Sequence, residues 1–291
     1  MKKLKFGVIG NIGPEADSYF QDVLARKEIE CGVLTEQEHM SMIVVKNPDI
    51  PDRSAAIMGV GEDPVPELVE SARVLEHNNV PFAIMACSAA HYFLNAVQQQ
   101  TSVYLVDMLK TTVQFIQETQ PEVVVGVLGH NGTYHSGIYQ NYLDNAGLAH
   151  TKLNAEQQEQ YIHSAIFGSK TTKQASNGEF IRQGDGLNAG VIDANVERLT
   201  KGINILVEKG VTTIILSYFG LAKVQPQLMA KFPQLTFIDP MELVAEYVLA
   251  IYEQADEYVT IGECPTVVTD IAAIKSSADL VNYVATKALQ A

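Results

Sequence analysis

The chain has 291 residues, 47% of them hydrophobic and 19% charged, the profile of a globular protein long enough for two domains of about 100–150 residues. Thirty-four Asp and Glu against 20 Lys and Arg give a formal net charge of -14. That field repels phosphate backbones and anionic membrane surfaces, so neither nucleic acid nor lipid is an expected partner.

The start, Met1-Lys2-Lys3-Leu4-Lys5, is briefly basic, but the apolar stretch after it breaks at Gly10-Asn11 without a small-residue cleavage site, so no export signal is expected. Short apolar runs then recur at Phe6–Ile9, Met40–Val45, Phe82–Ala86, Val103–Val106, Val123–Leu128, His150–Leu153, Thr212–Leu216 and Leu235–Ile238. None approaches the ~18–20 residues of a membrane helix. Between most of them the apolar residues fall at helical spacing, as in Leu68, Ala72, Leu75 and Leu199, Ile203, Leu206. Continuous apolar strands alternating with helices predict parallel sheets covered on both faces.

The two halves repeat. Gly7-Val8-Ile9-Gly10-Asn11-Ile12-Gly13 reads against Gly126-Val127-Leu128-Gly129-His130-Asn131-Gly132, Val80–Cys87 against Val211–Tyr218, and Leu105-Val106-Asp107 against Phe237-Ile238-Asp239. The fold expected is therefore α/β, with two similar doubly wound parallel-sheet domains related by a pseudo-twofold duplication and a ligand cleft between their strand ends. The domains are expected at 1–119 and 120–255. A polar, Gly-rich segment at 165–190 reads as a long loop. A C-terminal extension, 256–291, carries an extended piece at Thr266-Val267-Val268 and a helix from about Ile271.

In chain order, the residues that could do chemistry begin with the strand-turn-helix segments at Gly10–Pro14 and Gly129–Thr133. Glycines permit the tight turn, Pro14 suits a first helical turn, and amides at a helix start can hold an anion. Neither turn is a complete nucleotide-binding sequence. Arg53 sits in the Pro-broken segment Asn47–Ser54, where a guanidinium could fork onto a carboxylate or simply be solvated. Cys87 ends an apolar strand and precedes Ser88-Ala89-Ala90-His91, the setting in which reactive thiols occur, although a structural cysteine is the common alternative. His91 is expected to pack. Cys31 and Cys264 lack this setting. Three widely spaced cysteines with no C-x-x-C pair point away from zinc, iron–sulfur or dithiol chemistry and toward a reducing, cytoplasmic compartment.

Taken together, Gly10-Asn11-Ile12-Gly13-Pro14, Asn47–Ser54, Gly61-Glu62-Asp63-Pro64, Cys87-Ser88-Ala89-Ala90-His91, Gly132-Thr133, Ser136–Tyr139 and Ile238-Asp239-Pro240 resemble, in order, motifs of the aspartate/glutamate racemase superfamily. The resemblance runs from about Lys5 to Glu253. It implies cofactor-independent proton transfer at the α-carbon of an amino acid or related small carboxylate, with no metal, a homodimer, and a C-terminal helix packed back on the first domain. It further implies Cys87 as an acid/base group, with Asn11, Ile12, Arg53, Ser88, Ala89, Asn131 and Thr133 around the substrate. The family's Asn-Thr pair after the first cysteine is Ser88-Ala89 here, which widens the expected pocket toward acids bulkier than aspartate. The family's second cysteine motif, G-C-T-E, meets Ser217-Tyr218-Phe219-Gly220. The ungapped comparison and the internal repeat both put Tyr218 at the cysteine position; a shift of one residue would put Ser217 there. Three readings stay open: a racemase-type isomerase using Cys87 and Tyr218, a one-thiol decarboxylase or isomerase, and a silent amino-acid-binding homologue.

Overall fold

The computed structural model describes residues 4–13, 15–174, 180–264 and 266–291. Met1–Lys3, Pro14 of the first turn and Ala175–Gly178 of the polar segment lie outside the described residues. Seven of the eight apolar runs become sheet strands, and of the run His150–Leu153 His150 alone joins one. The strands are β1 Lys5–Gly10, β2 Ser41–Lys46, β3 Phe82–Met85, β4 Tyr104–Val106, β5 Val124–Leu128 and β6 Ala149–His150. After an antiparallel pair, β7 Lys170–Gln174 and β8 Phe180–Arg182, come β9 Thr213–Leu216 and β10 Thr236–Ile238. The run at His150–Leu153 gives the shortest strand, two residues at a sheet edge.

The strands form two four-stranded sheets, ordered β2-β1-β3-β4 and β10-β9-β5-β6, with every neighbouring pair parallel. Numbered within each repeat, the order is the same, 2-1-3-4. The central strands are buried throughout β3 and β9, as strands covered on both faces must be. The helices Val65–His77 and Asp193–Glu208 each turn an apolar stripe inward, Leu68, Ala72 and Leu75 in one and Leu199, Ile203 and Leu206 in the other. A glycine lets each helix approach its sheet. A Cβ at Gly7 would meet Leu75 Cδ1 at 2.7 Å and Val80 Cγ1 at 3.0 Å, and one at Gly126 would meet Leu206 Cδ1 at 3.3 Å and Val211 Cγ1 at 3.1 Å. The repeat seen in the sequence is thus also a repeat of packing contacts.

By its contacts the chain divides into two compact units, one of Met1–Asp52, Glu62–Thr111 and Met241–Ala291, the other of Arg53–Gly61 and Thr112–Pro240. This differs from a cut at 119 and 255. The helix Pro240–Ile261 directly follows the second sheet in sequence but packs with the first unit, where Arg26 and Lys27 reach Glu242 and Glu246, each at 2.7 Å. The C-terminal helix Ser277–Gln290 also belongs there, burying Leu280, Val281, Tyr283 and Val284. Two local expectations are corrected. The polar segment is not wholly a loop, because the polar run Lys170–Gln174 pairs antiparallel with Phe180–Arg182. Thr266–Val268 forms no strand, having no sheet edge to join, and the helix begins at Ser277 behind a Ser276–Asp279 capping box, preceded by a 3-10 turn at Ile271–Ala273. No helix among the described residues is long and apolar enough to cross a membrane.

Tyr252 ties the returning helix to the first sheet. Its buried hydroxyl donates to the Leu4 carbonyl at 2.6 Å and accepts from the Ser41 amide at 3.1 Å. Tyr252→Phe removes both bonds without changing the apolar body of the side chain. It is expected to cost about 2 kcal/mol, since buried backbone groups are left unsatisfied, and to lower Tm by about 4–8 °C in a melt followed by circular dichroism.

Candidate active site

In open α/β sheets, ligands bind beyond the carboxyl ends of the strands, where the strand order reverses. In the order 2-1-3-4 that point lies between β1 and β3 in one unit and between β5 and β9 in the other. The first holds the turn after Gly10 beside Cys87; the second holds the turn after Gly129 beside Ser217 and Tyr218.

Cys87 and Tyr218 occupy the same backbone position in the two units. The residue before each donates its amide to the last core residue of the neighbouring strand, Ala86 to Ile9 O at 3.3 Å and Ser217 to Leu128 O at 2.8 Å. Both residues are extended, with φ/ψ of -159/118 and -146/128, and both cap the helix that follows. Both carbonyls then accept from the residue three positions on, Ala90 to Cys87 at 3.1 Å and Leu221 to Tyr218 at 2.9 Å. Tyr218, rather than Ser217, is therefore the structural counterpart of Cys87. Because neighbouring extended residues point to opposite sides, Ser217 is 3% exposed and lies over Gly129, where a Cβ would collide with its hydroxyl, while Tyr218 stays half-exposed.

In the first unit Cys87 is half-buried against the core, Ser88 and Ala89 are buried, and the Ile12 side chain is core. Only the Ile12 backbone is left for a ligand. Asn11 takes a left-handed conformation, φ 58, and donates its amide to Asp17 Oδ1 at 3.3 Å; the fully buried Asp17 also pairs with Lys46 Nζ at 2.9 Å. His91 packs, as expected. The Met108 amide donates to its Nε2 at 3.2 Å, so Nδ1 carries the proton that meets the Cys87 carbonyl at 2.9 Å. Both ring nitrogens are thus engaged by backbone, and His91 does not act on the thiol.

In the second unit the sequence reading placed Arg53 in a loop; it opens a short helix, Arg53–Ile57, that packs with the helix Asn131–Ser136. Ser54 Oγ lies 3.3 Å from His130 Nδ1, the atom that accepts from the Gly132 amide. Arg53 and the second turn are therefore parts of one compact unit.

The Asn131 backbone amide and one of the two side-chain N–H donors are engaged by neighbouring residues. The backbone amide donates to His163 Nδ1 at 3.1 Å and the side-chain amide to Glu159 Oε2 at 2.9 Å. Glu159 in turn receives both terminal nitrogens of Arg182, from the hairpin. By contrast, the buried Thr133 Oγ1 and Ser217 Oγ have no hydrogen-bond partner among the described residues. Tyr218 Oη shares two contacts with the Asn188 amide group, at 2.8 and 3.1 Å.

Glu159, His163, Arg182 and Asn188 were not singled out in the sequence. The i, i+4 spacing of Glu159 and His163 on one helical face, next to a polar insertion, was the available signal. Burial and the Arg182 charge push His163 down to about 3 against the opposing pull of Glu159. Burial works to raise the Glu159 carboxyl, but hydrogen bonds from Arg182 and Asn131 outweigh it and hold it below the usual carboxylate range.

Folded His163 therefore stays uncharged where the unfolded chain, with a value near 6.5, takes up a proton. Its contribution to stability is complete above pH ~6.5 and is lost as pH falls toward 3. In His163→Gln, which keeps an acceptor for the Asn131 amide, urea unfolding between pH 6 and 4 is expected to show a shallower acid limb, by at most about 1.4 kcal/mol per pH unit.

Comparisons with known proteins agree with this architecture. The model of the Asp/Glu/hydantoin racemase family matches residues 9–248. Among sequences, a broad-specificity amino-acid racemase, RacX of Bacillus subtilis (strain 168), is 26% identical over 145 residues, a stretch that spans 48% of this chain and 61% of that relative. Among solved structures, the aspartate racemase of Picrophilus torridus superposes with a TM-score of 0.65 at 20% identity, covering 86% of this chain and 94% of the other. A glutamate racemase from Thermus thermophilus in complex with β-chloro-D-alanine gives a TM-score of 0.56 at 17% identity, covering 96% and 93%. The two structural likenesses speak for the fold, and the family match over most of the length speaks for descent: the chain belongs to the Asp/Glu/hydantoin racemase family.

Proposed function

We propose that this protein is a cofactor-independent isomerase of amino-acid racemase type, acting at the α-carbon of an amino acid or related small carboxylate. The observation that carries the reading is the equivalence of Cys87 and Tyr218 at the strand ends of the two repeats. Inversion at carbon needs two proton-transfer groups, one for each face of the α-carbon. Cys87 as thiolate removes the α-proton on one face and Tyr218 supplies a proton from its hydroxyl on the other. In the reverse direction the phenolate takes the proton and the thiol returns one, so each turnover leaves the pair in the opposite protonation state. A tyrosine is a good donor but a weak base near neutral pH, since its unperturbed pKa is ~10. The Asn188 amide group, within 2.8 and 3.1 Å of the hydroxyl, can meet it as donor or as acceptor and so holds the ring in place in either protonation state.

The substrate carboxylate must be held while negative charge develops beside it, and fixed donors do this best. Arg53 takes this role in our reading, with the buried hydroxyls of Ser88, Thr133 and Ser217 nearby in their own units. The absence of hydrogen-bond partners for Thr133 and Ser217 among the described residues supports it. Asn131 is assigned a positioning role, holding the turn through Glu159 and His163.

Incubation with single enantiomers in D2O tests the assignment. The wild type is expected to invert its substrate with α-deuterium incorporation. Cys87→Ala should lower both inversion and exchange by about 10²–10⁴-fold. Tyr218→Phe should lose inversion while retaining exchange with retention of configuration, and Tyr218→Cys should raise the inversion rate above that of the wild type. Unchanged inversion in Tyr218→Phe would remove the tyrosine from the mechanism, and product formed without inversion would favour a one-thiol enzyme.

A further inference from the structure

We infer that the second unit receives an apolar or aromatic substrate side chain and no second carboxylate; this deepens, and rests on, the racemase-type reading. Tyr218 sits in a cluster of rings. Its centroid lies 4.7 Å from Phe219, 5.7 Å from Phe167 and 5.9 Å from the His130 imidazole, and Phe167 stacks in turn at 4.9 Å on His163. Each of these rings is only half-buried, so the cluster keeps open apolar surface beside the residue assigned to proton transfer. A Cβ at Gly220 would come within 2.8 Å of the Tyr218 ring, so the glycine lets that ring lie close on the backbone.

Among the described residues of this unit, the guanidiniums of Arg182 and Arg198 are engaged by other groups. Arg182, the nearest guanidinium to the second turn by its bonding, is neutralised by both oxygens of Glu159. Arg198 is drawn to Asp185, the Ser164 carbonyl and the Ser169 hydroxyl. His163 is held uncharged by its burial and by Arg182. Lys223 is exposed and stands over the Phe219 ring at 5.1 Å. Arg53 is assigned to the carboxylate that every amino acid carries. A side-chain carboxylate would therefore meet the negative faces of aromatic rings, with the exposed, solvent-facing Lys223 rather than a guanidinium beside them, and it would lose hydration on entry. A leucine, methionine or phenylalanine side chain would instead cover the exposed rings.

Exchange in D2O and titration calorimetry on L-leucine, L-methionine, L-phenylalanine, L-aspartate and L-glutamate decide the matter. At least tenfold higher kcat/KM for the best apolar amino acid than for either acidic one is expected, and faster exchange of aspartate or glutamate overturns the inference while leaving the racemase reading intact. Phe167→Ala should raise KM for phenylalanine several-fold with little change in kcat; an unchanged KM takes Phe167 out of the side-chain site and counts against the inference. Glu159→Gln, which leaves the Arg182 charge uncompensated, should raise the acidic-to-apolar ratio several-fold. Phe167→Lys supplies a cation independently and should move the ratio the same way; a fixed ratio in both variants overturns the inference. If no amino acid exchanges, the racemase reading fails, and calorimetry alone then upholds the side-chain assignment by tighter apolar binding or overturns it by tighter acidic binding or none.

Discussion

Parallel pairing of the two central strands, β1 with β3 and β5 with β9, is the constraint on which the rest of each unit depends. A parallel pair puts both carboxyl ends at the same edge of the sheet. The glycine-rich turn leaving one strand and the residue leaving the other therefore emerge side by side, although some 75 to 90 positions separate them in the chain. Gly7 and Gly126 make the arrangement compact by admitting Leu75 and Leu206 close to the strands. Once that packing is set, the amide-to-carbonyl bonds of Ala86 and Ser217 fix which side chain points outward at the strand end, and Cys87 and Tyr218 are the result.

The two units stabilise their turns by different chemistry. In the first, the Asn11 amide is met by Asp17, a fully buried carboxylate whose charge is compensated by Lys46 from the adjacent strand. In the second, the turn's Asn131 amide, one position further along the repeat, is met by His163, and its side chain by Glu159, which the hairpin residue Arg182 compensates. Each arrangement places an acceptor against a backbone donor, and each brings a cation to balance an acid, fully buried at Asp17 and half-buried at Glu159. The two backbone amides so engaged face protein acceptors. Carboxylate recognition then falls, in our reading, on Arg53 and on hydroxyls. The polar hairpin acquires a role in this way, because Arg182 reaches from it to the turn.

How much was legible beforehand can be judged residue by residue. Seven of the eight parallel strands were readable because each is a short, largely apolar run, and the duplication was readable because the same glycines must admit the same helices. Cys87 was readable as a strand-end residue. Its tyrosine counterpart was readable from the offset of the repeat, although one residue of slippage would have changed the answer to Ser217; the backbone bonds of Ser217 and Leu221 remove that ambiguity. The partners of Asn131 were not legible, since nothing local to Gly129–Thr133 reveals that Glu159 and His163 meet its amides.

The sequence by itself determined the fold class, the repeat, the order of the strand-end motifs and, through them, the family. These depend on local composition and periodicity, which act on neighbouring residues and leave a direct trace in the letters. Only the tertiary structure decided that the helix Pro240–Ile261 belongs with the first unit, that Arg53 opens a helix packed against the second turn, that the polar insertion pairs as a hairpin and that the ring cluster surrounds Tyr218. Those outcomes rest on pairings between groups separated in the chain, such as the Arg182 guanidinium with Glu159 or the Tyr252 hydroxyl with the Leu4 carbonyl, whose energies depend on distance and burial and have no signature in the order of the residues.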